Sequence, residues 1–481
     1  MFFASVLLAA LPPLIPYPRE VHQLPGECIV REVVAKSVKA THDSALPAEG
    51  YRLHVGTNGI RIASADAAGE FYAHQTLRQL VERQGYDWRI PCVDIVDAPR
   101  FRYRGLHFDD CRHFFGKDVL KRFIDRMAAF KYNVLHWHLT DDQGWRLEIR
   151  RYPDLVKYGA VRPSSPRCRA WSEQDNVPYG PFFYTQEDVR EILAYARERH
   201  VTVMPEIELP GHARAALAAY PQYSCRGESL LPREPWTLWG VTEDVFCPGN
   251  DETLAFIRGV LDEVCELFSD SPMIHIGGDE VPKTRWKDCP KCQRRIREKG
   301  LKDEKELHTW TASYFANYLR EKGRRAVGWS DIIEGGIPED AVIMCWRNQE
   351  AGQKAAASGR DFIMCPGTHC YFDLGQCLPG DGIPYGVWTK PIPLHKVYSY
   401  FPEEDISPEC RKHLLGVQAC HWSESIRTEK ELEWHSWPRS LALSEVVWTA
   451  PDVRDYDEFK SRVVRMVPYL NTMGITPAPV E

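Results

Sequence analysis

The chain has 481 residues, 44 % hydrophobic and 26 % charged, with 60 Lys plus Arg against 67 Asp plus Glu. That length accommodates two or three ordinary domains, or one barrel with a smaller module. A mildly acidic, near-balanced charge excludes the basic footprint of a nucleic-acid binder, and no nucleic-acid partner is expected.

Phe2 to Leu11 form a short apolar run followed by Pro12-Pro13. The run is too short to span a bilayer, so no integral membrane segment is expected there. With small residues at Ala9-Ala10 it reads as a signal-peptide core over residues 1–13, although no Lys or Arg precedes it. A secreted or periplasmic location is the expectation, with the cytoplasm as the alternative. The 15 cysteines do not settle the compartment. Cys345, Cys365 and Cys420 lie in apolar runs, where a thiol acts as a small hydrophobe.

Residues 14–98 read as a small α+β domain. Tyr51–Val55 and Ile60–Ala63 alternate around a Thr57-Asn58-Gly59 turn, a hairpin signal. Phe71, Ala73, Leu77 and Leu80 then follow helical spacing. Ala98-Pro99-Arg100 marks the border with a second domain, 99–481.

From Arg104 onward, short apolar runs alternate with amphipathic helices. The runs are Gly105–Phe108, Asn133–Leu139, Val201–Ile207, Met273–Gly278, Ala326–Trp329, Ala341–Trp346, Phe362–Cys365 and Gly416–Cys420. Helices are expected at Asp118–Phe130, Glu187–Arg199, Glu252–Phe268, Glu304–Lys322, Gln349–Ser358 and Glu431–Ser444. Eight such units predict a (β/α)8 TIM barrel. In that fold functional residues lie past the C-terminal ends of strands, and polar or aromatic residues do follow each run. They include Asp110 to His113, Asp141-Asp142, Glu206 to His212, Asp279-Glu280, Trp329, Trp346-Arg347, Tyr371 with Asp373, and His421 to Glu424.

His275-Ile276-Gly277-Gly278-Asp279-Glu280 is the most informative segment. Its two glycines permit a close backbone approach, and acids ending a buried strand are costly unless they are paired or used. Cys289-Pro290-Lys291-Cys292 has the spacing of half a zinc site, but no second Cys or His pair follows nearby, so a local loop feature is expected.

These segments together resemble a family 20 glycoside hydrolase, a β-N-acetylhexosaminidase. The match rests on Arg104-Gly105, Asp109, Arg112-His113, Asn133, His136 to Trp145, Pro210-Gly211-His212, His275 to Glu280, Gly328-Trp329, Trp346, Tyr371-Phe372-Asp373 and Trp422-Ser423-Glu424. Leu14 to Pro18 and Ala73 to Leu77 resemble the family's N-terminal accessory domain.

The resemblance implies exo-hydrolysis of terminal β-linked N-acetylglucosamine or N-acetylgalactosamine from oligosaccharides or glycoconjugates, with retention and no cofactor or metal. Retaining glycosidases usually use two opposed carboxyls, and this family is a substrate-assisted exception. The substrate's 2-acetamido oxygen is then the nucleophile and an oxazolinium ion the intermediate. Glu280 is implied as acid and base, a role that asks for partial burial among carboxylates. Asp279 is implied to hold the acetamido N–H and balance positive charge. Asp141 and His212 are implied to orient Glu280. Arg112 is implied to grip the 3- and 4-hydroxyls, and Trp329, Trp346 and Trp422 to box the acetamido methyl and the sugar face. Tyr371 would aim the acetamido oxygen, while Asp373 and Glu424 would accept from the 4- and 6-hydroxyls.

Three departures stand out: Glu208 where the family commonly has Asp, Ser330-Asp331 in place of Asp-Glu, and Phe372 in place of Leu. His136 and His138 are expected to pack and hydrogen-bond within the barrel. Trp437 and the loops Ser164–Tyr184 and Gly227–Trp239 are candidates for outer subsites. Two alternatives stay open: a metal-dependent hydrolase with His136, His138, His212 and Asp279 as ligands, and a catalytically silent sugar-binding protein.

Overall fold

A computed structural model describes residues 11–30, 38–84, 86–167, 170–333, 338–376 and 391–480. The expected signal-peptide core falls almost wholly on residues 1–10, outside the described residues. Among the described residues no helix is long and apolar enough to cross a membrane.

Eight parallel strands close into a barrel: Tyr103–Asp109, Val134–His138, Thr202–Glu206, Met273–His275, Arg325–Trp329, Val342–Cys345, Phe362–Met364 and Leu414–Ala419. They coincide with the eight apolar runs because strands buried on both faces carry near-continuous Val, Ile and Leu rather than alternation. The helix Lys117–Ala129 shows how the outer ring packs. It turns Leu120, Phe123, Ile124 and Met127 inward at the spacing of one helical face.

The barrel register sets the level of the site. Asp109 pairs with His138, His138 with Glu206, and Glu206 with His275. Four polar side chains therefore share one layer at the C-terminal ends of the first four strands.

Glu431–Ser444, read as one helix, is two: Glu429–Ser436 and Arg439–Trp448. Pro438 offers no N–H and disfavours helical backbone at the preceding residue, and Trp437 is extended at φ −111° and ψ 139°. The break drives Trp437 into the core, only 1 % exposed, with its ring 5.1 Å from Phe130. It is packing, not an outer subsite.

Ahead of the barrel, the hairpin of Tyr51–Gly56 and Gly59–Ser64 joins the long strands Glu20–Val30 and Asp87–Asp97 in one sheet. The helix Ala67–Leu80 packs its buried residues against that sheet. Asp97, at the end of the domain, ties it to the barrel. Its carboxylate accepts from Tyr51 Oη at 2.6 Å, Lys131 Nζ at 2.9 Å and Trp448 Nε1 at 2.9 Å. Three donors on one buried carboxylate satisfy it, whereas removing one partner of such a buried pair typically costs about 3–5 kcal/mol.

Candidate active site

A cavity of about 710 Å³ opens at the C-terminal mouth of the barrel, within the size range of small-ligand sites. Its walls include Arg112, His212, Asp279, Glu280, Trp329, Trp346, Tyr371, Asp373, Trp422 and Glu424. Every site residue singled out in the sequence lies there except Asp141, which stands behind the wall.

Asp279 and Glu280 occupy the turn that ends the fourth strand. Gly277, Gly278 and Glu280 have φ of +61°, +92° and +49°. A Cβ on Gly277 would fall 1.8 Å from Glu208 Oε2, and one on Gly278 would fall 2.3 Å from Ile332 Cγ2. Both glycines are thus required by close approach as well as by φ. Glu280 is no glycine, and left-handed backbone there costs on the order of 1 kcal/mol or more, a strain typical of functional positions. His212, at φ +45°, shares the feature.

His212 connects the layers. Its Nδ1 lies 3.2 Å from Asp141 Oδ1 and 3.3 Å from Asp142 Oδ2. Its Nε2 lies 3.6 Å from Asp279 Oδ2 and 3.8 Å from Glu280 Oε2. Burial opposes the imidazolium, but Asp141 and Asp279 outweigh it, and the pKa of His212 is raised well above the ordinary value.

Partial burial was expected at Glu280, and Asp279 is the more deeply buried of the two. The Glu280 side chain is 43 % exposed and that of Asp279 14 %. Desolvation pushes Asp279 up to about 7, with His212 pulling down and Glu206 and Glu280 pushing further up. Both carboxylates nevertheless approach the same His212 nitrogen, Asp279 at 3.6 Å and Glu280 at 3.8 Å.

Arg112 is held from three sides. Nε donates to Gln143 at 3.1 Å, Nη1 to Asp109 at 3.2 Å, and Nη2 lies 2.9 Å from Asp141. Its guanidinium also sits over the Trp422 ring at 4.9 Å. The ion pair with Asp109 and a place in the cavity wall are therefore both real. Asp141 is held well below the usual carboxylate range, because Arg112, His212 and His138 outweigh its burial.

The aromatic wall is continuous. Trp329 and Trp422 ring centres are 5.7 Å apart, Tyr371 and Trp422 are 6.2 Å apart, and Trp346 stacks near-parallel to Tyr371 at 6.2 Å. Trp329 Nε1 donates to Glu206 at 2.8 Å and Trp346 Nε1 to Asp331 at 2.8 Å. Desolvation, aided by Glu424, raises Asp373 well above the ordinary range, and burial also raises Glu424 against the pull of Arg112.

Sequence reasoning undervalued two residues. Glu206 is a hub, approached by His138 Nδ1 at 2.5 Å, His275 Nδ1 at 2.8 Å and His136 Nε2 at 3.1 Å. Its signal was alternation: it stands in the same strand end as Glu208. Asp331, noted only as a departure, aligns Trp346 and also accepts from Arg347 at 2.7 Å.

The loop 227–239, offered for outer subsites, packs on the segment that holds Arg112. Trp236 N donates to Asp142 O at 2.8 Å and Gln143 Nε2 to Leu238 O at 3.0 Å. In the loop 164–184, Gln174 Nε2 donates to Thr237 O at 2.9 Å, and residues 168–169 lie outside the described residues.

Residues 101–451 match the glycosyl hydrolase family 20 catalytic domain, and residues 31–98 match domain 2 of that family. The chain belongs to glycosyl hydrolase family 20. It is 41 % identical over 445 residues to a beta-hexosaminidase of Porphyromonas gingivalis, an alignment covering 90 % of this chain and 55 % of that protein. A Vibrio furnissii beta-hexosaminidase is 37 % identical, with 82 % and 64 % covered. The chain thus spans less than two thirds of these two relatives, whereas it spans 88 % of a 32 % identical beta-hexosaminidase of Akkermansia muciniphila. Among solved structures, a family 20 exo beta-N-acetylglucosaminidase of Vibrio harveyi in complex with N-acetylglucosamine superposes with a TM-score of 0.88. It is 30 % identical, with 98 % of this chain and 79 % of that chain covered. A beta-N-acetylhexosaminidase of Bacteroides fragilis superposes with a TM-score of 0.83 at 31 % identity over 97 % of both chains.

Proposed function

We propose that this family 20 chain removes terminal, non-reducing β-linked N-acetylglucosamine or N-acetylgalactosamine from oligosaccharides or glycoconjugates, with retention and with the substrate's own acetamido oxygen as nucleophile. The observation that carries the reading is the placement of Asp279 and Glu280. Both come from one backbone turn and both approach the same imidazole nitrogen, inside a cavity walled by three tryptophans. A covalent retaining mechanism needs two carboxyls on opposite faces of the sugar, about 5–5.5 Å apart. Neighbours on one turn suit a division of labour on one side of the anomeric carbon.

In this reading Glu280, the more exposed of the two, protonates the leaving oxygen and then takes a proton from water. Asp279 accepts the acetamido N–H and, once ionised, offsets charge on the oxazolinium ring. Its buried position beside the His212 imidazolium lets that charge act in a low-dielectric setting. Tyr371 aims the acetamido oxygen, and Trp329, Trp346 and Trp422 enclose its methyl. Arg112, with Nε and one N–H on each Nη already engaged, keeps two of its five N–H groups for sugar hydroxyls. Asp373 and Glu424 accept from the 4- and 6-hydroxyls.

The four ligands named for the metal-dependent alternative are turned to different partners. His136 and His138 turn onto Glu206, and the second nitrogen of His138 is 2.8 Å from Asp141, whereas His212 faces Asp279.

Hydrolysis of an aryl β-N-acetylglucosaminide tests the proposal, with an aryl β-glucoside as control. Turnover is expected only with the acetamido sugar, and Glu280→Gln is expected to lower it roughly 100-fold or more. Equal cleavage of the glucoside, or near-normal turnover by the variant, contradicts the assignment.

A further inference from the structure

Away from the catalytic cavity, four cysteines converge from two separate loops. Cys289 and Cys292 flank the start of the helix Pro290–Lys299. Cys225 and Cys247 come from the segment that follows the third barrel strand, where Ser224 and Phe246 form a β-bridge and Cys247 N donates to Tyr223 O at 2.9 Å. The Cys-Pro-Lys-Cys half-site that looked solitary in the sequence has its second pair 42 and more residues upstream. Only the fold could reveal it.

The sulfur geometry discriminates between chemistries. Cys225 to Cys292 is 3.7 Å, Cys247 to Cys289 is 3.7 Å and Cys247 to Cys292 is 3.5 Å, and all four sulfurs lie within 4.8 Å of one another. A disulfide needs about 2.05 Å. Four thiolates at about 2.3 Å from a central zinc, arranged tetrahedrally, stand about 3.8 Å apart.

The surroundings are built to hold that arrangement. The sulfurs sit in a small apolar cluster with Val245, Val281, Trp286, Ile296 and Leu307, and Trp286 Nε1 donates to Phe246 O at 3.0 Å across the two loops. A Cβ on Gly249 would lie 2.2 Å from the Lys291 carbonyl carbon and 2.3 Å from Cys292 N. The strand-3 loop therefore presses directly on the Cys-Pro-Lys-Cys turn, as a compact metal knuckle requires.

We propose that Cys225, Cys247, Cys289 and Cys292 form a structural zinc site. Four thiolate ligands leave no open position, so the ion has no part in hydrolysis. Its consequence is mechanical. The first loop begins just after His212 and the second just after Glu280, and Val281 belongs to the same cluster as three of the cysteines. Zinc would cross-link the two segments that run on from His212 and from the Asp279-Glu280 pair.

The test is metal analysis of the purified full chain after exhaustive desalting, combined with zinc-edge X-ray absorption. The expected result is about one zinc per chain bound by four sulfurs near 2.3 Å, and loss of that zinc in both Cys289→Ser and Cys292→Ser. Should a variant fail to fold, the wild-type stoichiometry and ligand set decide alone. Substoichiometric zinc, nitrogen or oxygen in the ligand shell, or intact-mass detection of disulfides among these four cysteines overturns the proposal.

Discussion

His212 Nε2 lies 3.6 Å from Asp279 Oδ2, while the other nitrogen of the same ring lies 3.2 Å from Asp141. One imidazole thus joins the buried charge layer of the barrel to the pair at its mouth. The proton on His212 is kept there by carboxylates on both sides, against the cost of burial. Asp141→Asn should therefore lower the His212 pKa, so that the ring titrates nearer its ordinary range, about 6.5. Activity should lose its alkaline limb earlier, and misplacement of the acid pair should cost up to about 100-fold at neutral pH. NMR titration of His212 measures the first effect; an unmoved pKa in the variant would refute the coupling.

Asp279 links function to stability. Burial raises its folded-state pKa from 3.8 to about 7, so the folded protein resists ionising this group while the unfolded chain does not. The unfavourable contribution is absent below about pH 4, grows as pH rises, and is fully present above about 7. Asp279→Asn should leave the protein inactive yet more stable at pH 8, by an amount on the order of a few kcal/mol. That advantage should shrink as pH falls through 7 and vanish near 4. Urea denaturation of both proteins across this range provides the check, and a pH-independent difference would contradict it.

The close packing of Gly277 on Glu208 makes a third case. In Gly277→Ala the new methyl meets Glu208 Oε2 at 1.8 Å and the backbone keeps φ +61°. A stability loss of about 2–3 kcal/mol or more and a severe drop in turnover are expected. Shortening the partner should recover the steric part but not the backbone part. The double variant Gly277→Ala, Glu208→Ser should thus be more active than Gly277→Ala alone, a coupling that a double-mutant cycle reads directly. Additive effects would show that the two residues do not touch.

Much of this was legible beforehand because the barrel is written in period and position. Eight apolar runs became eight strands, and the residues just past them line the cavity. What escaped the sequence is non-local. Cys225 and Cys247 lie far from Cys289 in sequence and meet it only through the fold. Trp437 looked available for substrate until Pro438 broke the helix and buried it. Glu280 was expected to be partly buried, and of the pair Asp279 proves the more deeply buried. Long-range packing decides these three cases, and residue spacing does not encode it.

Arg112 has a rigid fork with three acceptors in three directions: Gln143, Asp109 and Asp141. A lysine ammonium cannot span them. Arg112→Lys should raise KM for the aryl glycoside at least about 10-fold, and should also destabilise the protein, because Asp109 and Asp141 lose a buried partner. Steady-state kinetics with a melting curve separates the two, and an unchanged KM would remove Arg112 from the sugar contacts.

The claim that the glycan brings its own nucleophile is tested most directly by following product stereochemistry by proton NMR in the first turnovers, with intact-mass analysis of enzyme quenched in the same reaction. The β-anomer should appear first, before mutarotation, and the polypeptide mass should stay unchanged throughout. An initial α-anomer, or a sugar covalently attached to the protein, would contradict it.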